Sequence, residues 1–390
     1  MSTLNNVRAG LIVLFAMCTV HAQASGPDFY FGADLSFVNE MEDCGGIFRE
    51  HGKPRDVFEL FHEHGANLVR VRLWNDARWT RYSNLDDVRK TLRRSKAAGM
   101  QTLLDFHYSD DWADGDKQII PEAWKDITES EALAQALHDF TYETLMALAR
   151  DGLMPDWVQV GNETNGEILG RADWDKHRPI DWRRNAVLFK SGIRAVRAAA
   201  SASHTSPRVM LHIAQPENVE PWFAAAAQAG VVDFDLIGIS YYAKWSRESM
   251  QGLGETIKRL RDTYPADVVL VETAYPWTLE SADASANILG EDSLIAAYPA
   301  NPEGQKRYLI DLTQTVLDNG GIGVVYWEPA WISTRCKTRW GEGSGWENAT
   351  FFDFRRGNEV LPAIDYMRHS YRKPAGAAPR SKPNLSAPKR

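Results

Sequence analysis

Eight short runs of apolar and β-branched residues recur along the 390-residue chain, and between them lie stretches with helical periodicity. The unit is clearest early on. "DVFELFHEHG" precedes "ANLVRVRLW", "DDVRKTLRRSKAAG" precedes "MQTLLDFHY", and "EALAQALHDFTYETLMALARDG" precedes "WVQVGNE". A glycine just past a helix is the usual stop signal. Short apolar strands alternating with helices argue for a parallel sheet covered on both faces. The strands are read at 29–36, 68–74, 101–108, 157–163, 208–214, 236–242, 268–274 and 323–330. Eight such units close into a (β/α)8 TIM barrel. An open doubly wound sheet is the alternative, but no G-x-G-x-x-G follows the first strand.

The two ends read differently from this body. Residues 1–24 carry one charge, Arg8, then the run "AGLIVLFAMCTV" and an "AQA" cleavage signature, so they are expected to be a secretory signal. The run is short for a membrane span, and no membrane association is expected once it is cleaved. Residues 373–390, "KPAGAAPRSKPNLSAPKR", have no acid and four prolines and are expected to be a tail outside the fold. Residues 25–372 are then a single catalytic domain. A formal charge of −8 argues against a nucleic-acid partner, and a monomer is expected.

In a TIM barrel the chemistry sits where the strands end. Those ends carry Asp34, Arg70, Arg72, Asp105, His107, Asn162, Glu163, His212, Tyr241, Tyr242, Glu272, Trp327 and Glu328. Any one of them has a bland reading as a loop cap, an ion pair or a packing residue. As a set they are a poor core, because an unpaired buried charge is costly. Glu163 ends strand 4 and Glu272 ends strand 7, three units apart, so the two face one another across the mouth. A pair of facing carboxyls performs glycoside hydrolysis when one is neutral and protonates the leaving oxygen while the other, ionised, attacks the anomeric carbon. Asn162 beside Glu163 suits a hydrogen bond to the sugar 2-hydroxyl, which strengthens in the transition state. Fourteen tryptophans exceed what a core needs, and Trp74, Trp112 and Trp331 are weaker candidates for stacking on sugar rings.

"GADLSFV", "VRVRLWND", "LLDFHYSDDWAD", "QVGNETNGE", "IGISYYAKW", "VETAYPW", "YWEPAW" and "GWENATFFDF" follow one another in this order. The series resembles glycoside hydrolase family 53 of clan A, the arabinogalactan endo-β-1,4-galactanases, over about residues 28–370. The resemblance implies that Glu163 is the acid/base and Glu272 the nucleophile of a retaining endo-acting hydrolase of β-1,4-galactan. It further implies that Arg72 supports the nucleophile, that Tyr241 hydrogen-bonds it, and that Asp34, His107 and Trp327 line the cleft. Some bacterial members hold calcium in the loop after strand 7. Here that loop reads "LESADASANIL", with Asp283 and Asn287 but serines at 281 and 285, so no metal or other cofactor is expected. Cys44 follows strand 1 and Cys336 strand 8, neighbours in a closed barrel, and a disulfide between them is expected. The alternatives are the same retaining chemistry on mannan or β-glucan, and an inactive carbohydrate-binding barrel.

Overall fold

The computed structural model describes residues 27–170 and 178–372; the expected signal and tail lie outside the described residues. Eight strands form the barrel: β1 (Tyr30–Asp34), β2 (Leu68–Leu73), β3 (Gln101–Phe106), β4 (Trp157–Val160), β5 (Arg208–Ala214), β6 (Leu236–Ser240), β7 (Asp267–Glu272) and β8 (Gly323–Tyr326). All neighbours pair in parallel, and β8 pairs with β1 to close the ring.

Around it run α1 (Val57–Glu63), α2 (Leu85–Ala97), α3 (Ser130–Arg150), α4 (Trp182–Ser203), α5 (Pro216–Gln228), α6 (Met250–Thr263) and α7 (Pro302–Asp318). Their starts are written locally. Asp56, Asn84, Asp181, Ser249 and Asn301 each accept a first-turn backbone N–H with the side chain, satisfying donors that the helix itself leaves orphaned. Where an eighth helix would stand, a 3-10 segment, Pro362–Arg368, packs against α7.

The interior of the barrel is layered. Tyr30, Leu68, Leu103, Trp157, Met210, Leu236, Val269, Val271 and Val325 make an apolar floor drawn from all eight strands. Two residues further along, where alternation again points inward, the strands carry Arg70, Asp105, Gln159 and His212. One barrel thus has a hydrophobic floor that stabilises it, at about 1.5–3 kcal/mol per large side chain, and a polar layer directly above. On β7 the alternation is broken. Ile239 pairs with Leu270 but Ser240 pairs with Glu272, so β7 holds an extra residue at that point. Val271 and Glu272 both face inward as a result, a use of a bulge to re-aim one side chain.

The expected strands were found, but several run too long. Strand 4 was expected to reach 163, whereas β4 ends at Val160. Gly161 takes φ +84°, and a Cβ there would lie 2.7 Å from Thr164 Cγ2, so the chain must turn out of the ladder at a glycine.

Two further features shape the catalytic face. The loop after β8 carries a hairpin of Lys337–Thr338 and Gly341–Glu342. A disulfide joins Cys44 to Cys336, with Cα atoms 5.5 Å apart, and ties this loop to the segment after β1.

Candidate active site

Glu163 stands two residues past Gly161, with φ +43°, a conformation a glutamate adopts only when its surroundings hold it there. The hold is visible: the Gln118 side chain, from the loop after β3, donates to the Asn162 carbonyl at 2.7 Å, and the Glu163 N–H donates to His212 Nδ1 at 3.3 Å. From β7, Glu272 reaches the same space. One carboxylate oxygen from each glutamate and a ring nitrogen of His212 lie within 4.8 Å of one another.

Burial pushes both carboxyls above the ordinary range, and the charge of Glu163 raises Glu272 further. Two acids this close share one proton over a wide pH span. Contacts decide where it resides. The Arg70 guanidinium, fully buried, forms an ion pair with Glu272 at 2.6 Å. Among the described residues no cation pairs with Glu163, which is pushed up to about 7 by burial first, with the nearby Asp114 carboxyl adding to it. Burial pushes Glu272 up further, to about 8, yet of the two carboxyls it is the one with a cation against it, and this contact favours the negative charge on Glu272 and the proton on Glu163.

Arg70 is itself held through both terminal nitrogens. It donates to Asp34 Oδ2 at 2.9 Å, Asp105 Oδ2 at 2.8 Å and Asn162 Oδ1 at 2.7 Å. Asp34 in turn accepts from the Ser36 hydroxyl at 2.5 Å. His107 sets its Nε2 3.0 Å from Asp105 Oδ2 while its Nδ1 accepts from the Ala113 N–H at 3.2 Å. Asn162 donates through Nδ2 to the Ala113 carbonyl at 2.8 Å, which orients its amide. Asp34, His107 and Asn162 are thus brought to the centre as expected from their positions in the sequence.

Two expected contacts are not made. Arg72 does not reach Glu272. It pairs instead with Glu328 Oε1 at 2.5 Å, and its guanidinium lies over Phe37 at 4.1 Å, Trp112 at 4.5 Å and Trp74 at 5.0 Å. Arg70 and Arg72 share the inward face of β2, and Glu272 lies at the depth of Arg70. Tyr241 does not bond the carboxyl either. Strand alternation sends its ring outward, toward Glu217 and Glu248, and only its N–H meets Glu272, at the carbonyl (2.9 Å). Tyr242, one residue on, donates to Glu272 Oε2 at 3.1 Å. Ser240, two residues before it on the same face, bonds Glu163 Oε1 at 2.5 Å. The serine within "GISYY" carried no signal beyond its inward parity with Tyr242.

Aromatic rings line the floor and rim. Trp327, half-buried, stands edge-on to Trp346 at 4.6 Å and 5.8 Å from Trp112. Trp331 stacks on Phe37 at 4.0 Å and Trp74 is 98% buried, so both are packed rather than presented. Trp340, on the hairpin after β8, is 47% exposed and meets Trp79 edge-on at 4.9 Å. In the loop after β7 the oxygens of Asp283 are taken by the Ser285 N–H, the Ser344 N–H and the Ser333 hydroxyl. Asp283 thus has both oxygens engaged by the protein, while Asn287 Oδ1 and Glu347 Oε2 accept no hydrogen bond.

Comparison with known proteins agrees with this geometry. The model of glycosyl hydrolase family 53 matches residues 30–367. The chain is 52% identical over 371 residues to an arabinogalactan endo-β-1,4-galactanase of Cellvibrio japonicus, covering 95% of this chain and 99% of that one. It is 35% identical to an endo-β-1,4-galactanase of Bacillus subtilis, covering 83% and 76% of the two chains. Among solved structures, the family 53 catalytic domain of Ignisphaera aggregans superposes with a TM-score of 0.81 at 30% identity, covering 90% of this chain and 98% of that one.

Proposed function

Starting from the fact that the chain belongs to glycosyl hydrolase family 53, we propose that it is a retaining endo-β-1,4-galactanase acting on the galactan of arabinogalactan. The observation that carries the mechanism is the carboxyl pair, close enough for direct attack and unequal in its contacts, with Arg70 on Glu272 and Ser240 on Glu163. Retaining enzymes hold their two carboxyls about 5–5.5 Å apart, and inverting ones leave room for a water between them.

In the first step Glu163 gives its proton to the glycosidic oxygen as that bond to the anomeric carbon breaks, and a Glu272 oxygen bonds the same carbon from the opposite face. In the second, Glu163, now a carboxylate, takes a proton from water. The water oxygen bonds the anomeric carbon and Glu272 leaves with its electron pair. Arg70 stabilises the carboxylate at the beginning and end of this cycle, and Tyr242 holds its other oxygen in line. Asn162 is the partner of the sugar 2-hydroxyl; Asp34 and His107 act by fixing Arg70 and Asp105. Trp327 is a wall of the cleft. Residues 1–24 supply an export signal, in keeping with a polymeric substrate outside the cell.

The test is reducing-end release from linear β-1,4-galactan, mannan and carboxymethyl cellulose, with Glu163→Ala and Glu272→Ala as controls. Proton NMR of the first product gives the anomer. Release from galactan with a β product, lost in both variants, is expected. Release from mannan or cellulose alone would discard the substrate, and an α product would discard the mechanism.

A further inference from the structure

His212 is fully buried on β5, and the two-step cycle leaves it without a task. Its surroundings nevertheless determine its proton. The Asn162 and Gln159 amides are oriented by Ala113, Arg70 and Asp105, so they are not free to adapt. The Glu163 N–H points into the ring at Nδ1, and a buried backbone N–H needs an acceptor. Asn162 Oδ1, an acceptor, also lies 2.9 Å from Nδ1, but two donors face the same nitrogen, the Gln159 amide at 3.0 Å and the Glu163 N–H, and the pair makes Nδ1 the acceptor and Nε2 the nitrogen bearing hydrogen, 2.8 Å from the Ser240 oxygen. With that oxygen accepting from His212, the Ser240 hydroxyl proton is directed to Glu163 Oε1 at 2.5 Å. The links close a ring: Glu163 backbone to His212, His212 to Ser240, Ser240 to the Glu163 carboxyl.

We propose that Ser240, oriented by neutral His212, is the positioning residue of the general acid, holding Glu163 Oε1 as an acceptor and leaving Oε2 to carry the proton that is transferred. The proposal rests on the assignment of Glu163 as acid/base. An oxygen that accepts a short hydroxyl hydrogen bond is the weaker base of its pair, so the proton resides on its twin. After transfer, the same bond stabilises the carboxylate that must next activate water. Burial and Arg70 hold His212 well below its usual range, which keeps it neutral and in one tautomer. The charged and titratable groups facing Glu163 are Arg70 from β2, Asp114 after β3, Tyr242 after β6 and Glu272 from β7, with the Gly115 N–H also bonding the carboxyl. None of these bonds both Glu163 and His212, as Ser240 does.

The experiment is direct titration of Glu163 by carboxyl carbon-13 NMR in the full chain, alongside pH profiles of kcat/KM on linear galactan. Ser240→Ala should raise the Glu163 midpoint and the basic limb together by about one pH unit, the worth of one hydrogen bond to a carboxylate. Ser240→Cys, near-isosteric with a weaker donor, should move both the same way by less. An unmoved midpoint in folded variants overturns the proposal. A downward shift also overturns it, because it means Ser240 accepts from Glu163 and donates to His212. The NMR midpoint needs no turnover, so a chain inactive on galactan would sink the functional reading while the titration still judges Ser240.

Discussion

Replacing Arg70 by methionine isolates the element on which the proposed nucleophile depends. The guanidinium sits among three carboxylates, Asp34, Asp105 and Glu272, all buried with it. At an effective dielectric of about 20 and a charge separation of about 4 Å, its attraction for Glu272 is about 4 kcal/mol. That corresponds to about three pH units on the carboxyl, so without Arg70 the ionised fraction at neutral pH should fall by up to about a thousandfold. The change keeps an unbranched apolar stem, though a shorter one, and removes the charge and donors. Activity, read as kcat/KM on galactan between pH 5 and 8, should fall by about a hundredfold to a thousandfold, with partial recovery toward high pH as Glu272 ionises. Loss of one partner from a buried ion pair also costs about 3–5 kcal/mol of stability, so rates are to be compared only below the variant's own melting transition. Arg72→Met is the paired control. It removes a cation from Glu328, not from the nucleophile, and should reduce kcat/KM by less than about a hundredfold. If Arg72→Met is the more damaging of the two in kcat/KM, the assignment of Arg70 as the support of Glu272 is wrong.

Three other outcomes follow from the same contacts. The double variant Cys44→Ser, Cys336→Ser should lose about 2–4 kcal/mol, seen as a lower melting temperature, and an unchanged temperature would mean the cross-link adds nothing. Glu347, 99% buried, is pushed up to about 7 by burial, with Asp283 adding to it. A raised carboxyl stabilises the fold fully below its unfolded value and loses that contribution as pH rises through 7, so the unaltered protein should lose stability relative to Glu347→Gln between pH 5 and 8. A parallel pair of melting curves would contradict this. A chelator should leave the melting temperature unchanged; a drop would mean that a bound cation contributes to stability.

The barrel was legible because its signal is repeated eight times, and a single misplaced strand would not have hidden it. Glu163 and Glu272 stood out only as members of a set, because a single carboxyl ending an apolar run reads as a loop cap or an ion pair. Depth and parity were not legible. Arg70 and Arg72 have the same parity, and their rank depends on register, with Arg70 level with Asp34 and Arg72 level with Asp105. Glu272 faces inward only because β7 carries an extra residue opposite β6, and nothing in "VVLVETA" marks a bulge. Tyr241 and Tyr242 are adjacent and identical, so only the inward face of Ser240 separates them. The disulfide followed from strand order, since the first and last units of a barrel are neighbours.

That disulfide has a consequence apart from stability. Cys44 and Cys336 enclose 292 positions of sequence separation, nearly the entire barrel, in one covalent circuit. A protease that cuts any loop within it opens the circuit without dividing the molecule. Both pieces stay tethered at the mouth of the barrel, beside the strands that must re-pair, so a nicked chain stays one particle until a reductant reaches the sulfurs.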